Sequence, residues 1–497
     1  MTRSCGILLP ISALPSEYGI GTLGSEARCF AEFLHAAGQR YWQILPIGPT
    51  GCGDSPYQSF STFAGNPYFV DLEELARDGL LTKQELEAEI WGTDRRKIDY
   101  SSMYDHRLNV LRVAHSRSAE YERGARTRFE TDSAAWLEDY ALYMALKREL
   151  KMAAWTEWPQ ELRERDPGAL ENARERLAET VSFFKFLQFL FFKQWDELKA
   201  YAAKLGIGII GDLPIYVALD SSDVWANPQY FMLDECGIPL KIAGVPPDYF
   251  NSDGQLWGNP LYDWARLKAD GYGWWIRRFD GAAKLYDVVR FDHFRGLESF
   301  WAVPYGDETA KRGEWVKGPG LEFVGMLTSW FSSTQIIAED LGILTPQVCE
   351  LLSASGLPGM KVLEFAFDTS SLSSYLPHNY GENCVCYVGT HDNATLEEWR
   401  ESEKKANVEF AKEYLGLNDE DGFNWGFIRG GMGSAAGLFI AQMQDYLALG
   451  ASSRMNVPGT AYGNWQWRML KGEASASLAK KIRERARIYG RLPAMAE

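Results

Sequence analysis

Histidine and cysteine are both scarce in this chain of 497 residues, with six of the first and seven of the second. Seven is odd, and the cysteines are scattered. The tightest pair, Cys384-x-Cys386, falls on one face of a strand by alternation. No second pair and no nearby histidine cluster completes a zinc set. A disulfide framework and a zinc site are therefore not expected, and the thiols read as reduced core residues of a cytoplasmic protein. Blocks rich in lysine and arginine are also missing, and the formal net charge is −16. Nucleic acid and anionic membrane surfaces both need a basic footprint, so neither is expected as a partner. No run of 18 apolar residues occurs. The nearest approach, "FFKFLQFLFF" at 183–192, is interrupted by Lys185 and Gln188 and reads as a buried helix. The opening "MTRSCGILLP" has too short an apolar run for a secretory leader, and none is expected. Low-complexity tails, domain linkers and fixed-period repeats are absent as well.

Apolar residues are plentiful, at 46 %, and aromatics reach 14 % with 18 tryptophans. Most of these rings fill a core. Some are expected to line a groove, because a flat apolar ring with a polar edge suits ligands such as sugars. Eight short apolar runs recur: "CGILLPISAL" (5–14), "YWQILPIG" (41–48), "GIGIIGDLPIY" (206–216), "YDVVRFDHF" (286–294), "TQIIAEDLG" (334–342), "MKVLEFAF" (360–367), "CVCYVGTHDN" (384–393) and "SRMNVPGT" (453–460). Helical patterns separate them, such as "SEARCFAEFLHAAG" at 25–38 and the stripe Phe184, Leu187, Phe191, Trp195, Leu198, Ala202. Strand alternating with helix implies a parallel sheet, and continuous apolar runs imply strands covered on both faces. Eight such units predict a closed (β/α)8 TIM barrel forming a single catalytic domain over 1–497, with a doubly wound sheet as the alternative. The spacing is uneven. A mainly helical subdomain is expected at 55–182, with smaller insertions at 218–262, 302–325 and 400–450, and a lid in the Gly- and charge-rich stretch 305–320.

The stretch "GIGTLG" at 19–24 follows a strand, opens a helix and fits G-x-G-x-x-G. It is not read as a nucleotide site. The strand that should end in an acidic ribose ligand ends in Pro and Gly, and residues 15–18 make the turn too long.

Charge collects at the strand ends. In "VVRFDHF", alternation places Val288, Arg290 and Asp292 on one face. A fixed cation beside Asp292 is expected to hold its carboxylate ionised. In "IIAEDLG", Ile337 and Glu339 share a face, and the apolar approach to Glu339 is expected to keep it protonated. Two strands on, "YVGTHDN" delivers Asp392 beside His391. One such residue is as easily a salt-bridged strand end. Three on one barrel mouth point instead to an ionised nucleophile, a protonated acid and a third carboxylate that steadies sugar hydroxyls, which together are the machinery of a retaining glycosidase. A metal site would favour His with carboxylates at H-x-H or H-x-x-H spacing; none is present, and no metal or cofactor is expected.

These motifs, in this order, resemble the 4-alpha-glucanotransferases, also called amylomaltases or disproportionating enzymes (glycoside hydrolase family 77). The resemblance extends to "GDSPYQ" (53–58), "GDLPIYV" (211–217), "GVPPDYFNSDGQLWGNPLYDW" (244–264) and "NVPGTAYGNWQWR" (456–468). It implies that Asp292 is the nucleophile, Glu339 the acid/base and Asp392 the transition-state stabiliser. It implies that Arg290, His293 and His391 hold the reacting glucose, and that Tyr57, Asp212, Asp248, Trp257 and Asn464 line the glucan groove. It also implies α-1,4-glucans, malto-oligosaccharides and glucose as partners. One departure stands out: the family usually follows T-H-D-N with Asp, and this chain has Ala394. A change in loop hydrogen bonding is expected there. The chain opens on the first strand, so no N-terminal starch-binding module is expected. A retaining α-glucan hydrolase of the same clan would carry the same carboxylates. A non-catalytic glucan-binding protein would be expected to have lost one of them.

Overall fold

Seven of the eight apolar runs form strands of one parallel sheet in the computed structural model, which describes residues 3–247, 252–342, 344–369 and 373–493, without the side chains of Cys52 and Asp105. These strands are Ser4–Leu8, Tyr41–Gln43, Gly208–Leu213, Val288–Phe291, Gln335–Ala338, Gly359–Val362 and Cys384–Tyr387. The eighth corrects the expectation. It is Leu438–Gln442, inside the segment 400–450 that read as an insertion, and residues 453–460 form no strand. The run "LFIAQ" is short and follows a Gly-rich helix end, whereas "SRMNVPGT" carries a proline that cannot donate to a ladder. The eighth strand pairs with both the first and the seventh. The fifth and sixth strands share no ladder. They meet through the Ala338 amide, which donates to the Pro358 carbonyl at 2.9 Å, and the Met360 amide, which donates to the Asp340 carboxylate at 2.6 Å. The sheet is thus nearly closed into a (β/α)8 barrel.

Alternation divides each strand between two cores. Leu8, Ile210, Val288, Ile337, Val385 and Ile440 belong to one compact apolar cluster inside the barrel. Their neighbours Ile7, Ile209, Val289, Ile336, Cys386 and Phe439 belong to the larger cluster between barrel and helices. Truncating one interior residue such as Ile337 to Ala would cost about 2–5 kcal/mol, the usual range for a filled core.

Helices cover the outside. Ser25–Ala36 and Ala178–Lys204 lie where the apolar spacing places them, and Ala134–Glu149 and Gly273–Leu285 join them. In the long helix, Gln188 interrupts the apolar run for a structural reason. Its amide accepts from the Gly65 backbone at 2.7 Å and donates back to the Gly65 carbonyl at 2.9 Å. Gln194 does the same with Asp71, at 2.7 and 3.3 Å. A buried amide bonded on both sides fixes the segment that follows the second strand, and that segment carries Tyr57.

The stretches 218–262 and 302–325 hold structure that the sequence pattern does not announce. Lys241–Val245, Gln255–Pro260, Ser299–Pro304 and Glu314–Lys317 form an antiparallel four-stranded sheet. This sheet returns to the loop after the fourth barrel strand. The Gly318 amide donates to the Glu298 carbonyl at 2.7 Å, and the Trp315 ring covers the Arg295 guanidinium at 4.1 Å. Cation and ring at that distance attract through the ring quadrupole.

Candidate active site

Pairing register brings the charged strand ends together. The fourth strand pairs with the third, Asp212 opposite Arg290, and with the fifth, Phe291 opposite Ala338. Extending that register by one residue puts Asp292 beside Glu339. The backbone follows it: the Asp292 amide donates to the Leu213 carbonyl and the Glu339 amide to the Phe291 carbonyl, both at 3.0 Å. Paired residues of neighbouring strands face the same way, so the carboxyls of Asp212, Asp292 and Glu339 converge at one end of the barrel.

Arg290 lies among them, 4 % exposed. Its Nη1 is 2.7 Å from both oxygens of Asp212 and 2.8 Å from Oδ1 of Asp292. Burial would push protons off Arg290, but Asp212 and Asp292 outweigh it and hold the guanidinium charged. Asp292 departs from the expectation. Burial raises its pKa well above the ordinary carboxylate range; Arg290 opposes this, and Asp212, Glu339 and Asp392 add to it. One cation divided between two carboxylates, with a third beside them, cannot hold every one of them ionised.

Glu339 is raised by burial too, and Arg290 and two backbone amides pull it back. Those amides are His293, donating to Oε2, and Leu341, donating to Oε1, each at 2.7 Å. His293 can serve Glu339 because it takes the left-handed conformation, φ 51°, and turns the chain sharply out of the strand. The turn then passes Gly296 so closely that a Cβ there would lie 2.9 Å from the His293 ring. Burial drives the His293 pKa down to about 3, so its ring is neutral. The indole of Trp257 stands edge-on to that ring, centroids 4.8 Å apart.

The opposite wall comes from the loops after the second and seventh strands. Tyr57 stacks on His391, centroids 5.3 Å apart at 18°. Its hydroxyl donates to Oδ2 of Asp212 at 2.6 Å and meets Nε2 of His391 at 2.9 Å. With the hydroxyl hydrogen committed to Asp212, His391 must carry its hydrogen on Nε2. Burial lowers the His391 pKa, which keeps the ring neutral. Asp392 is the most open of the acids, its side chain 46 % exposed. Oδ1 accepts from Nδ2 of Asn456 at 2.6 Å and lies 3.4 Å from Nε2 of His391.

Asp292, Glu339, Asp392, Arg290, Asp212, Tyr57, His293, His391 and Trp257 thus form one connected set. Asn464 is differently employed: Oδ1 accepts from the Val457 amide at 3.0 Å, and Nδ2 donates to Thr460 at 3.0 Å, so the side chain shapes its own loop. Asp248 lies outside the described residues. At the departure from the family pattern, the Ala394 carbonyl accepts from Gln442 at 3.4 Å, while Asn393 Oδ1 caps the turn by accepting from the amide and hydroxyl of Thr390, both at 2.9 Å. Sequence reasoning missed Asn456, Arg454 and Trp465. Trp465 packs on both Tyr57 and His391 at 5.9 Å. Asn456 and Trp465 lie in "NVPGTAYGNWQWR", so the signal was present, and only Asn464 was carried over from it. Among the described residues no group of three or more His, Cys, Asp or Glu side chains is arranged to hold a metal ion. No helix among them is long and apolar enough to cross a membrane.

Comparison with known proteins returns one family along the chain. The family described as 4-alpha-glucanotransferase matches residues 9–473. A 4-alpha-glucanotransferase of Clostridium butyricum is 47 % identical over 97 % of this chain and 99 % of its own. One from Thermus thermophilus is 46 % identical over 99 % of this chain and 100 % of its own. The structure of an amylomaltase from Streptococcus agalactiae in complex with acarbose superposes with a TM-score of 0.96 at 39 % identity, covering 99 % of this chain and all of that one. Matched along nearly its whole length, the chain belongs to the 4-alpha-glucanotransferase family.

Proposed function

We propose that this enzyme moves α-1,4-glucan segments to the 4-hydroxyl of glucose or of another glucan, with retention, through a covalent glycosyl-enzyme on Asp292. One observation carries the reading: Asp292 and Glu339 follow a pair of in-register residues on adjacent parallel strands. Adjacent strands are about 4.8 Å apart. That places the two carboxyls at neighbouring positions on one strand face, as a mechanism needs in which one attacks and the other protonates the same glycosidic bond.

In this reading an oxygen of Asp292 attacks the anomeric carbon as the bond to the leaving 4-oxygen breaks. Glu339 gives that oxygen its proton. The acceptor 4-hydroxyl then attacks the same carbon, returns a proton to Glu339 and expels Asp292. Two inversions give net retention. Burial and like charge keep one proton within the acid pair, and transfer requires it on Glu339 when glucan is bound. Asp392 faces the charge that develops on the sugar ring. Neutral His293 and His391 offer hydrogen bonds to sugar hydroxyls without adding charge. The acarbose held by the Streptococcus agalactiae relative supports an oligosaccharide in this groove. Transfer over hydrolysis requires that water compete poorly for the intermediate. Trp257 against His293, with the antiparallel sheet that carries Trp257, is the proposed barrier. Malto-oligosaccharides and glucose are the partners, and a cytoplasmic setting fits the unpaired thiols Cys5, Cys384 and Cys386.

Trapping tests the covalent step. A Glu339→Gln variant given an α-glucosyl fluoride needs no acid for the first step and lacks the base for the second. The reading expects a peptide containing Asp292 to gain the mass of one glucosyl unit. A label on another residue, or none, would refute it.

A further inference from the structure

Arg454 touches no part of the catalytic pair, yet each of its three nitrogens is spent on a different segment at the edge of the site. Nε donates to the Asn456 carbonyl at 2.8 Å, Nη2 to the Asp392 carbonyl at 2.7 Å, and Nη1 to Oε1 of Glu398 at 3.1 Å. Glu398 belongs to the helix Leu396–Ser402, whose N-terminus is capped by Thr395 through the Glu398 amide. The guanidinium therefore ties two loops to a fixed helix. Asn456 completes the arrangement. Its amide N–H donates to the His391 carbonyl at 3.1 Å, and its side chain donates to Oδ1 of Asp392 at 2.6 Å.

We propose that Arg454 is a positioning residue for Asp392, holding the Asn456 and Asp392 backbones at the separation that lets the Asn456 amide aim the Asp392 carboxylate. The inference rests on the role given to Asp392 above. Asp392 is open on the site side, so nothing but Asn456 and His391, among its described partners, fixes where Oδ1 points. A carboxylate that acts through electrostatic complementarity loses effect when it moves by even about 1 Å, which can lower a rate on the order of a hundredfold. A planar fork with donors in several directions can bridge three acceptors at once. The compact ammonium of lysine cannot do so from one place.

The test is a double-mutant cycle on the full chain, with glucose release from maltotriose as the rate. Arg454→Gln and Asn456→Ala are each expected to lower kcat on the order of a hundredfold while KM changes little. Arg454→Lys recovers only part of the loss. In an Asp392→Asn background, neither change lowers the rate much further, because the group they position is already disabled. Near-normal kcat in Arg454→Gln, or losses that multiply in the Asp392→Asn background, would overturn the proposal, since a general structural strut would act independently of Asp392. Should Arg454→Gln fail to fold, Asn456→Ala, which leaves the guanidinium in place, decides by the same comparison. A wild-type rate in Asp392→Asn alone would instead refute the role given to Asp392.

Discussion

Asp212 and Asp292 accept hydrogen bonds from the same nitrogen, Nη1 of Arg290, at 2.7 and 2.8 Å. The two acids are thereby held by one buried charge. Removing it strands carboxylates in a low-dielectric interior, and such a loss typically costs about 3–5 kcal/mol. Arg290→Ala is therefore expected to lower stability by about that much in urea unfolding, and activity by orders of magnitude. Arg290→Lys keeps the charge and restores stability better than rate, because the rigid planar guanidinium that aims Nη1 between both acids is gone. Equal recovery of both would show that charge alone suffices.

The pH profile of kcat/KM should carry the mark of the crowded acids. Attack needs Asp292 ionised, and burial among Asp212, Glu339 and Asp392 raises its pKa. The acid limb is expected above the ordinary carboxylate value of about 4. Burial lowers both histidines, His293 to about 3, so their titration moves away from neutrality. The alkaline limb reports loss of the proton on Glu339, and Glu339→Gln abolishes it along with most of the rate. An acid limb at 4 or below would contradict this.

Tyr57 links the two walls, donating to Asp212 while His391 donates to it. Tyr57→Phe removes a hydrogen bond to a charged group, worth about 1.5–3 kcal/mol. Part of that is expected to appear as a roughly tenfold fall in kcat/KM, with little change in melting temperature. The matching observation is steady-state kinetics beside a thermal melt of the same preparation. A lower melting temperature with unchanged kcat/KM would make the link structural only.

Much of this site was legible in the chain alone. "VVRFDHF" and "IIAEDLG" announce their strands by apolar runs, and period-two alternation puts Arg290, Asp292 and Glu339 on one face. What alternation could not show was who shares Arg290. Asp212 comes from another strand, so an expectation built on Arg290 and Asp292 alone had the pKa direction of Asp292 reversed. The antiparallel sheet around Lys241–Val245 was hidden for a related reason. Its strands are short and only partly covered, so their pattern resembles that of loops. The eighth strand was missed because "LFIAQ" is five residues long inside a stretch that otherwise reads as helix and glycine.

Stability should fall as pH rises from mildly acid to neutral. Asp445 is fully buried, and burial raises its pKa to about 7, while Asp223 is raised to about 6 by the same cause. Between the unfolded value near 4 and these folded values, the native state binds more protons than the unfolded chain. The slope of unfolding free energy with pH is therefore negative in that window. Asp445→Asn keeps an oxygen for the Leu396 amide, which donates to Oδ1 at 2.9 Å. It is expected to flatten the decline of melting temperature between about pH 4 and 7. An unchanged slope would mean that Asp445 is not protonated in the fold.

The most direct test of glucan transfer is chromatography of the products formed from pure maltotriose. Transfer through a glycosyl-enzyme on Asp292 predicts glucose together with a ladder of longer malto-oligosaccharides, with the total number of glycosidic bonds conserved. Glucose and maltose alone, rising in step with bonds lost to water, would contradict it.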